Sequence, residues 1–371
     1  MIHRILIATG IYPPDIGGPA TYTVFLERLL TQHGFSADVC TFTRVRKFPK
    51  IIRHILYFVL LMKKGVASDG LYALDTVSVG VPACIASVLL RKPLYLRVPG
   101  DYAWEQGQQR YGITETLDEY ATSSKRYPFQ VRLLAWLERQ VATHARRIVV
   151  PSEYMRRVVE RWGVPPQKIT RIYSALSPIQ FTEPREVCRA KYMYENFVVT
   201  TAARLVPWKG MRVLIETIVK MRGEGVSVSL EIIGEGPERS ALEKSIVEHD
   251  AGTYIHLVGQ VGKSELWERI YASDVFVLNT SYEGLSHQLI EVMDIGTPII
   301  TTPVGGNTEL ITNEETGLLT PFNNREILTG ALQRMCMDTH VRDVCVKNAR
   351  EKAKLFREES IIPEVVALFH E

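Results

Sequence analysis

Short runs rich in β-branched residues alternate with stretches of helical periodicity along most of this chain. In the first half, the run Arg4–Ala8 is followed by a Gly/Pro-rich turn and then by helical spacing over Thr21–His33. The second half repeats the alternation from Phe197–Ala202 onward. Strands that alternate with helices are typical of parallel sheets in the α/β class. The pattern therefore predicts an α/β fold with two consecutive doubly wound units.

The chain length of 371 residues suits two domains of ordinary size. We expect an N-terminal domain over residues 1–178 and a C-terminal domain over 185–350, joined by a hinge in the Ser- and Pro-rich segment Tyr173–Pro184. Open α/β sheets bind ligands beyond the carboxyl ends of their strands, so two facing domains predict one shared cleft. The other expected strands are Gly70–Leu74, Pro93–Val98, Arg147–Val150, Val228–Ile233, Tyr254–Val258, Asp274–Leu278 and Pro298–Thr301. The other expected helices are Gly210–Met221, Glu238–Glu248, Ser264–Tyr271, Leu285–Asp294 and Arg325–Met337.

Composition excludes several classes of protein. Apolar residues make up 46% and charged residues 23% of the chain, which excludes a disordered or collagen-like protein. The five cysteines are scattered without a C-x-x-C pair, and this favours buried, reduced thiols over a disulfide framework or a metal site. The opening MIHRILIATG predicts a first strand rather than a signal peptide. We therefore expect a cytoplasmic protein, either free or bound peripherally to the inner face of a membrane.

Charge is distributed unevenly. Basic residues outnumber acidic ones in residues 1–175, and acidic residues are in excess in 176–371. The segment Arg44–Lys64 contains seven basic residues, no acid and the unbroken apolar run Ile55–Met62. Eight apolar residues are too few to cross a bilayer, which takes about 20 in a helix. Two interpretations stay open: a helix that lies on an anionic membrane surface, and a core helix with solvated basic ends.

Three glycine-rich turns resemble phosphate-binding loops. In Gly234–Arg239, Arg239 occupies the place of the third glycine of a dinucleotide fingerprint. The glycines of Gly259–Ser264 are too close together for a Walker A loop. We therefore reject both cofactor assignments. Gly17 and Gly18 follow the first strand and open a helix, which suits either an anion-binding turn or an ordinary one.

The strongest chemical signal lies in the second half. Arg204 and Lys209 follow a strand, and two cations five residues apart on one loop suit a diphosphate. Glu283 precedes a predicted helix and Glu291 lies within it, too far along the chain to share one proton or metal. Between them, Leu285 and Ser286 place backbone N–H groups at a helix N-terminus, where a phosphate is stabilised. The order predicts a ligand built as sugar, phosphate, sugar.

These motifs resemble the retaining GT-B glycosyltransferases of family 4. The resemblance rests on the IYPPDIGGPATY loop, the Arg204/Lys209 pair, the E-x7-E motif Glu283–Glu291, and the segments GTPIITTPVGGNTELI and GLLTPF. It implies two Rossmann-like domains facing each other across a cleft. It also implies that a C-terminal helix within 357–371 crosses back to the first domain.

The resemblance also implies roles for individual residues. Glu291 would bind the donor ribose and Glu283 the transferred sugar, while Arg204 and Lys209 would hold the diphosphate. Gly17 and Gly18 would contribute from the other domain, and Val261 would contact the base through its backbone. Asp101 stands where many relatives carry a histidine beside the sugar, so it is either a catalytic group or a structural turn aspartate. The candidate catalytic residues are Glu283, Arg204, Lys209 and Asp101, and the candidate nucleotide-sugar residues are Gly17, Gly18, Arg204, Lys209, Val261, Glu283, Gly284, Leu285, Ser286 and Glu291.

The expected reaction is metal-independent transfer of a hexosyl unit, with retention, from a UDP- or GDP-sugar to an acceptor hydroxyl. No D-x-D motif occurs in the sequence, and no cofactor beyond the donor substrate is expected. The expected partners are a lipid-linked or carbohydrate acceptor and an anionic membrane surface at Arg44–Lys64, but no nucleic acid. Two other functions remain open: a nicotinamide-dependent oxidoreductase, and a non-catalytic nucleotide-sugar-binding module.

Overall fold

The computed structural model describes residues 2–15, 18–123 and 125–370. The chain divides into two compact units. Unit 1 comprises residues 1–175 together with 358–371, and unit 2 comprises residues 176–357. Each unit contains one parallel six-stranded sheet with helices, which confirms the predicted α/β class.

The sheet of unit 1 has the strand order β2-β1-β3-β4-β5-β6. Its strands are β1 Arg4–Thr9, β2 Ser36–Thr41, β3 Gly70–Ala73, β4 Leu94–Arg97, β5 Arg147–Val150 and β6 Ile169–Arg171. The accompanying helices are α1 Gly18–Gln32, α2 Lys50–Gly65, α3 Gly80–Leu90, α4 Tyr102–Tyr111, α5 Leu117–Thr122, α6 Phe129–His144 and α7 Glu153–Arg161. The central strands are buried on both faces, as expected for a parallel sheet covered by helices.

The sheet of unit 2 has the order β12-β11-β10-β7-β8-β9. Its strands are β7 Phe197–Ala202, β8 Val228–Ile233, β9 Ile255–Gly259, β10 Val275–Leu278, β11 Ile299–Thr301 and β12 Leu318–Leu319. Its helices are α8 Arg185–Lys191, α9 Met211–Gly223, α10 Arg239–Glu248, α11 Lys263–Ala272, α12 His287–Ile295, α13 Asn307–Leu310, α14 Arg325–Met337 and α15 Thr339–Ala353. Because every strand pair is parallel, all six carboxyl ends meet at one edge of this sheet.

The last helix, α16 Glu358–His370, packs on unit 1 although it follows unit 2 in the chain. Its residues Ile361, Val365 and Phe369 are buried and recur with helical spacing. The Phe369 ring lies 4.9 Å from the Tyr95 ring, centroid to centroid. The C-terminal segment therefore completes the core of the first sheet.

The apolar run Ile55–Met62 lies within α2, which has one buried and one exposed apolar face. Tyr57 and Leu61 are fully buried, whereas Ile55 and Val59 are exposed. No helix among residues 2–15, 18–123 and 125–370 is both long and apolar enough to span a bilayer.

Candidate functional site

The loops at the carboxyl edge of the second sheet are tied to one another by hydrogen bonds. The Ser281 backbone N–H donates to the Trp208 carbonyl at 2.9 Å, and the Asn279 side-chain amide donates to the Gly210 carbonyl at 3.0 Å. The Gly306 N–H donates to the Glu283 carbonyl at 3.0 Å. The loops after β7, β10 and β11 are thus held as one rigid platform.

Two glycines allow these loops to approach closely. Gly305 has φ +53°, and a Cβ added there would lie 1.9 Å from the Glu283 carbonyl oxygen. Gly234 has φ +138°, and its Cβ would lie 2.0 Å from the Ala203 carbonyl oxygen. At Gly234, the turn Gly234–Arg239 therefore packs the β8 loop closely against the β7 loop.

The platform brings the predicted cation Lys209 against the predicted carboxylate Glu283. The Lys209 Nζ and Glu283 Oε1 form an ion pair, with the two side chains only 13% and 16% exposed. Arg204 lies on the same β7 loop, is exposed, and forms no ion pair among the residues that the structure describes. The β7 loop therefore carries one exposed guanidinium and one ammonium that a carboxylate holds in place.

The helix after β10 begins two residues later than predicted. Ser286 caps it, since its Oγ accepts from the Leu289 N–H at 3.3 Å. Gly284 and Leu285 therefore lie in the loop before the helix, with Leu285 and Ser286 both buried. The helix N-terminus still directs its partial positive charge toward this loop, next to Glu283.

Glu291 is held by a lysine that the sequence did not indicate. The Lys263 Nζ lies 3.1 Å from the Glu291 Oε1 and 4.7 Å from the centre of the Trp267 ring. Lys263 begins α11, directly after the loop that contains Val261. This ion pair therefore joins the predicted base-contacting loop to the predicted ribose-binding carboxylate.

The remaining predicted residues lie on unit 1. Gly18 begins α1, while Gly17 lies outside the described residues. Asp101 is the N-cap of α4, because its Oδ1 accepts from the Trp104 N–H at 2.8 Å. The other predicted residues belong to unit 2, namely Arg204, Lys209, Val261, Glu283 and Glu291. The predicted site residues are therefore divided between the two units.

Asp101 is paired with a second buried carboxyl, Glu138 of α6. The Glu138 carboxyl accepts from the Thr76 hydroxyl at 2.7 Å and from the Tyr102 and Ala103 N–H groups, each at 2.9 Å. Burial raises the pKa of both carboxyls, and the neighbouring Asp101 charge raises the pKa of Glu138 further. The two carboxyls hydrogen-bond to each other, and such a bond requires one of them to carry a proton.

Sequence reasoning missed Lys263, Asn279 and Glu138. Glu138 did leave a signal, since it occupies the apolar stripe of α6 between Val131 and Val141. A charged residue at a position that the helical period predicts to be buried indicates a paired or protonated group. Lys263 and Asn279 left no such signal, because their partners, Glu291 of α12 and Asn323, come from distant parts of the chain.

Two family models match the chain: "Glycosyl transferases group 1" over residues 191–352 and "Glycosyl transferase 4-like domain" over residues 67–175. WcaL of Escherichia coli K12, named for colanic acid biosynthesis, is 28% identical over 57% of this chain and 53% of its own length. The α-D-kanosaminyltransferase of Streptomyces kanamyceticus is 24% identical over 58% of this chain and 57% of its own. This chain thus spans about half the length of the curated relatives it matches.

Solved structures share the fold over almost the entire chain. Anabaena HepE in complex with UDP-glucose has a TM-score of 0.80 at 17% identity, with 100% of both chains covered. Sucrose-phosphate synthase of Thermosynechococcus elongatus has a TM-score of 0.81 at 20% identity, covering 99% of this chain and 98% of its own. The two family models together match more than half of the residues, on both units. The chain belongs to the group 1 glycosyltransferases and has their GT-B fold.

Proposed function

We propose that the protein transfers a hexosyl unit from a UDP- or GDP-sugar to an acceptor hydroxyl, with retention of the anomeric configuration, in the synthesis of a polysaccharide or another glycoconjugate. One observation carries the proposal: the Lys209–Glu283 ion pair lies on a platform of interlocked loops beside the N-terminus of α12. A cation, a carboxylate and a helix start suit a diphosphate that is bonded to a sugar.

The chemistry follows from this assignment. The bond between the anomeric carbon and the diphosphate oxygen breaks, and the diphosphate leaves with the electron pair. The acceptor oxygen bonds to the same carbon, and its proton passes to the departing diphosphate. Arg204, Lys209 and the N–H groups before α12 stabilise the charge that develops on the leaving group, and no metal is assigned to this step. Glu283 and Glu291 position sugar and ribose hydroxyls.

The class of donor is proposed from the relatives together with the site. HepE has been solved with UDP-glucose, and two carboxylates separated by a helix start suit the two ends of such a molecule. The acceptor is proposed to be a carbohydrate or a lipid-linked saccharide, since WcaL is named for the synthesis of a polysaccharide.

A panel of UDP- and GDP-sugars tests the proposal through thermal denaturation of the full chain, with NADH as the comparison. A donor present at about 100 times its dissociation constant adds about 2.7 kcal/mol of stability. Stabilisation by one nucleotide sugar, followed by its slow hydrolysis without acceptor, is the expected result. Stabilisation by NADH alone would favour an oxidoreductase, and donor binding without any hydrolysis or transfer would favour a non-catalytic module.

We further propose that the α2 face of unit 1 rests on an anionic lipid surface. Ile52, Ile55 and Val59 are exposed at helical spacing on α2, and Phe48 and Val66 are exposed just beyond its two ends; we call these five residues the α2 stripe. The neighbouring helix α3 adds three exposed apolar side chains, Ile85, Val88 and Leu89. Exposed basic residues accompany the stripe, namely Arg44, Lys47, Lys63 and Arg91. The segment between Asp38 and Asp69 contains no acidic residue, so basic side chains alone flank the apolar ridge. This combination matches an anionic membrane surface better than an uncharged apolar partner.

Co-sedimentation with vesicles tests this second proposal. The full chain should bind phosphatidylcholine vesicles that contain phosphatidylglycerol, and should bind pure phosphatidylcholine much less. Ile55→Ser should weaken binding, and Lys47→Ser should weaken it about fivefold, because one basic residue near the surface contributes about 1 kcal/mol. Val187→Ser, at an exposed valine of unit 2, is the matched control. Equal recovery with both kinds of vesicle at low salt would contradict the proposal.

A further inference from the structure

Unit 1 contains a cavity of about 320 Å³ among helices α5, α6 and α7. Residues around it include Asp101, Tyr127, Arg132, Trp136, Arg139 and Trp162. Its volume lies at the small end of ligand sites, which span about 300–1,000 Å³. Lys209, Glu283 and Glu291 belong to unit 2 and do not line it, so the proposed donor site leaves this cavity unexplained.

The floor of the cavity is the carboxyl pair Asp101 and Glu138. Both residues are at least 96% buried. The pair is held in place by the first N–H groups of α4 and by the Trp162 indole N–H, which donates to Asp101. Because the two carboxyls share a proton, the floor carries one negative charge and offers oxygen atoms to hydroxyl groups.

The rim of the cavity is cationic. Arg132 and Arg139 lie seven residues apart on α6 and therefore face the same side of that helix. Among the residues that the structure describes, neither of them forms an ion pair, whereas Arg161 pairs with Asp118 at 2.8 Å. Arg139 acts electrostatically on the Asp101 carboxyl below it, and two guanidiniums above one negative charge still leave the cavity with a net attraction for an anion.

The walls of the cavity are aromatic. Trp136 lies between the two arginines on α6 and is about half exposed, so its ring face is available to a ligand. The Tyr127 hydroxyl is buried and has no hydrogen-bond partner within the described chain. A buried hydroxyl without a partner carries a desolvation cost, which a bound ligand can remove by accepting or donating a hydrogen bond.

We infer that this cavity binds an acidic saccharide, a sugar ring that bears a carboxylate or phosphate group. The anionic group lies between Arg132 and Arg139, the apolar face of the ring stacks on Trp136, and ring hydroxyls donate to the carboxyl pair. A free phosphate would leave Trp136 and the carboxyl floor without a role. The inference rests on the proposed function in one respect, namely that the saccharide is part of the acceptor.

Saturation-transfer NMR on the full chain tests the inference with three probes: glucuronic acid, glucose 1-phosphate and glucose. The two anionic sugars should bind, and glucose should bind at least about tenfold more weakly, because a hydrogen bond to a charged group is worth about that factor. Arg132→Ala and Trp136→Ala should each weaken anionic binding by a similar factor. Arg157→Ala on α7 and Phe129→Ala on α6 are matched controls, since both residues are exposed and neither lines the cavity.

The inference would be overturned if neither anionic sugar binds, or if glucose binds as tightly as the anionic sugars. It would also be overturned if the Arg132→Ala and Trp136→Ala variants bind the anionic sugars as tightly as the wild type. Inorganic phosphate that displaces glucuronic acid completely while Trp136→Ala has no effect would also overturn it, because it would indicate a simple anion site. Binding of the nucleotide sugar is measured on the same samples. If the wild-type protein binds the nucleotide sugar but no acidic sugar, only this inference is refuted. If the wild-type protein does not bind the nucleotide sugar, the proposed function is refuted instead.

Discussion

Replacing Lys209 with alanine should remove most of the turnover of the donor while the fold is retained. The Lys209 and Glu283 side chains are only 13% and 16% exposed, so water screens their interaction poorly. Lys209 is assigned to the leaving diphosphate, and the loss of one preorganised donor costs about 10²–10³ in kcat, or about 2.7–4 kcal/mol. The rate measured with the nucleotide sugar selected by thermal denaturation should therefore fall at least about a hundredfold.

The same substitution also leaves the Glu283 carboxylate without its cation. Truncating one partner of a buried, hydrogen-bonded charge pair costs about 2–5 kcal/mol, part of which will appear as lower stability. The double variant Lys209→Ala/Glu283→Gln separates the two effects, because neutralising Glu283 removes the unpaired charge. It should regain part of the lost melting temperature and none of the lost turnover.

Lys220→Ala is a matched control for these variants, since Lys220 is a half-exposed lysine of α9 that lies 3.8 Å from Glu224. Its turnover should equal that of the wild type, and its stability should change by less than about 0.5 kcal/mol. A purified Lys209→Ala protein that turns over donor at the wild-type rate would refute the diphosphate assignment.

Three further predictions follow from particular contacts. Lys263→Ala should weaken donor binding less than Glu291→Gln does, because Lys263 is 49% exposed and acts through the Glu291 carboxylate. Calorimetric titration with the donor measures both effects, and a larger effect of Lys263→Ala would contradict the prediction. Gly305→Ala should lower the melting temperature and the turnover together, since its Cβ would meet the Glu283 carbonyl, whereas Gly330→Ala within α14 has free space and should stabilise by about 1 kcal/mol. The raised pKa of Glu138 means that the folded protein binds more protons than the unfolded chain above about pH 4.5, so stability should fall as pH rises toward neutrality. In thermal denaturation across this pH range, the melting temperature should fall less steeply with rising pH for Glu138→Gln than for Glu160→Gln. Equal slopes for the two variants would contradict the shared proton.

The α/β class was predictable because the inner strands are buried on both faces and therefore read as continuous apolar runs. β3, β5, β7, β8 and β10 all lie close to their expected positions. Three of the four edge strands were not predicted: β2, β6 and β12. β2 alternates exposed and half-buried residues only over Ser36–Val39, the shortest run that indicates a strand, and β12 has only two residues, so both signals are too short to identify a strand.

The sequence could predict the location of only those candidate site residues that directly follow a predicted strand. Arg204, Lys209 and Glu283 follow strands that the pattern identified, so their location at one sheet edge could be inferred. The Lys263–Glu291 pair could not, because it joins the start of α11 to the middle of α12 through tertiary packing. The start of α12 was misplaced for a local reason: Ser286 is both a plausible helical residue and a good N-cap, and the cap geometry decides between them.

Under the proposed function, the charges of the unit 2 site also determine which residue would attract the donor. Lys209 and Lys263 are each paired with a carboxylate, so their charges are largely compensated before any ligand binds. Arg204 has no such partner among the described residues and is exposed, which leaves the site with one positive charge in excess. Long-range attraction for the proposed diphosphate should therefore come from Arg204, and salt should screen it because the guanidinium faces solvent. The proposed role of Lys209 is at short range instead: once a diphosphate pairs with its ammonium, the Glu283 carboxylate would be free to accept hydroxyl groups of the sugar. The ion pair keeps both groups oriented without a ligand, and the proposed donor would convert this one internal contact into two contacts with substrate.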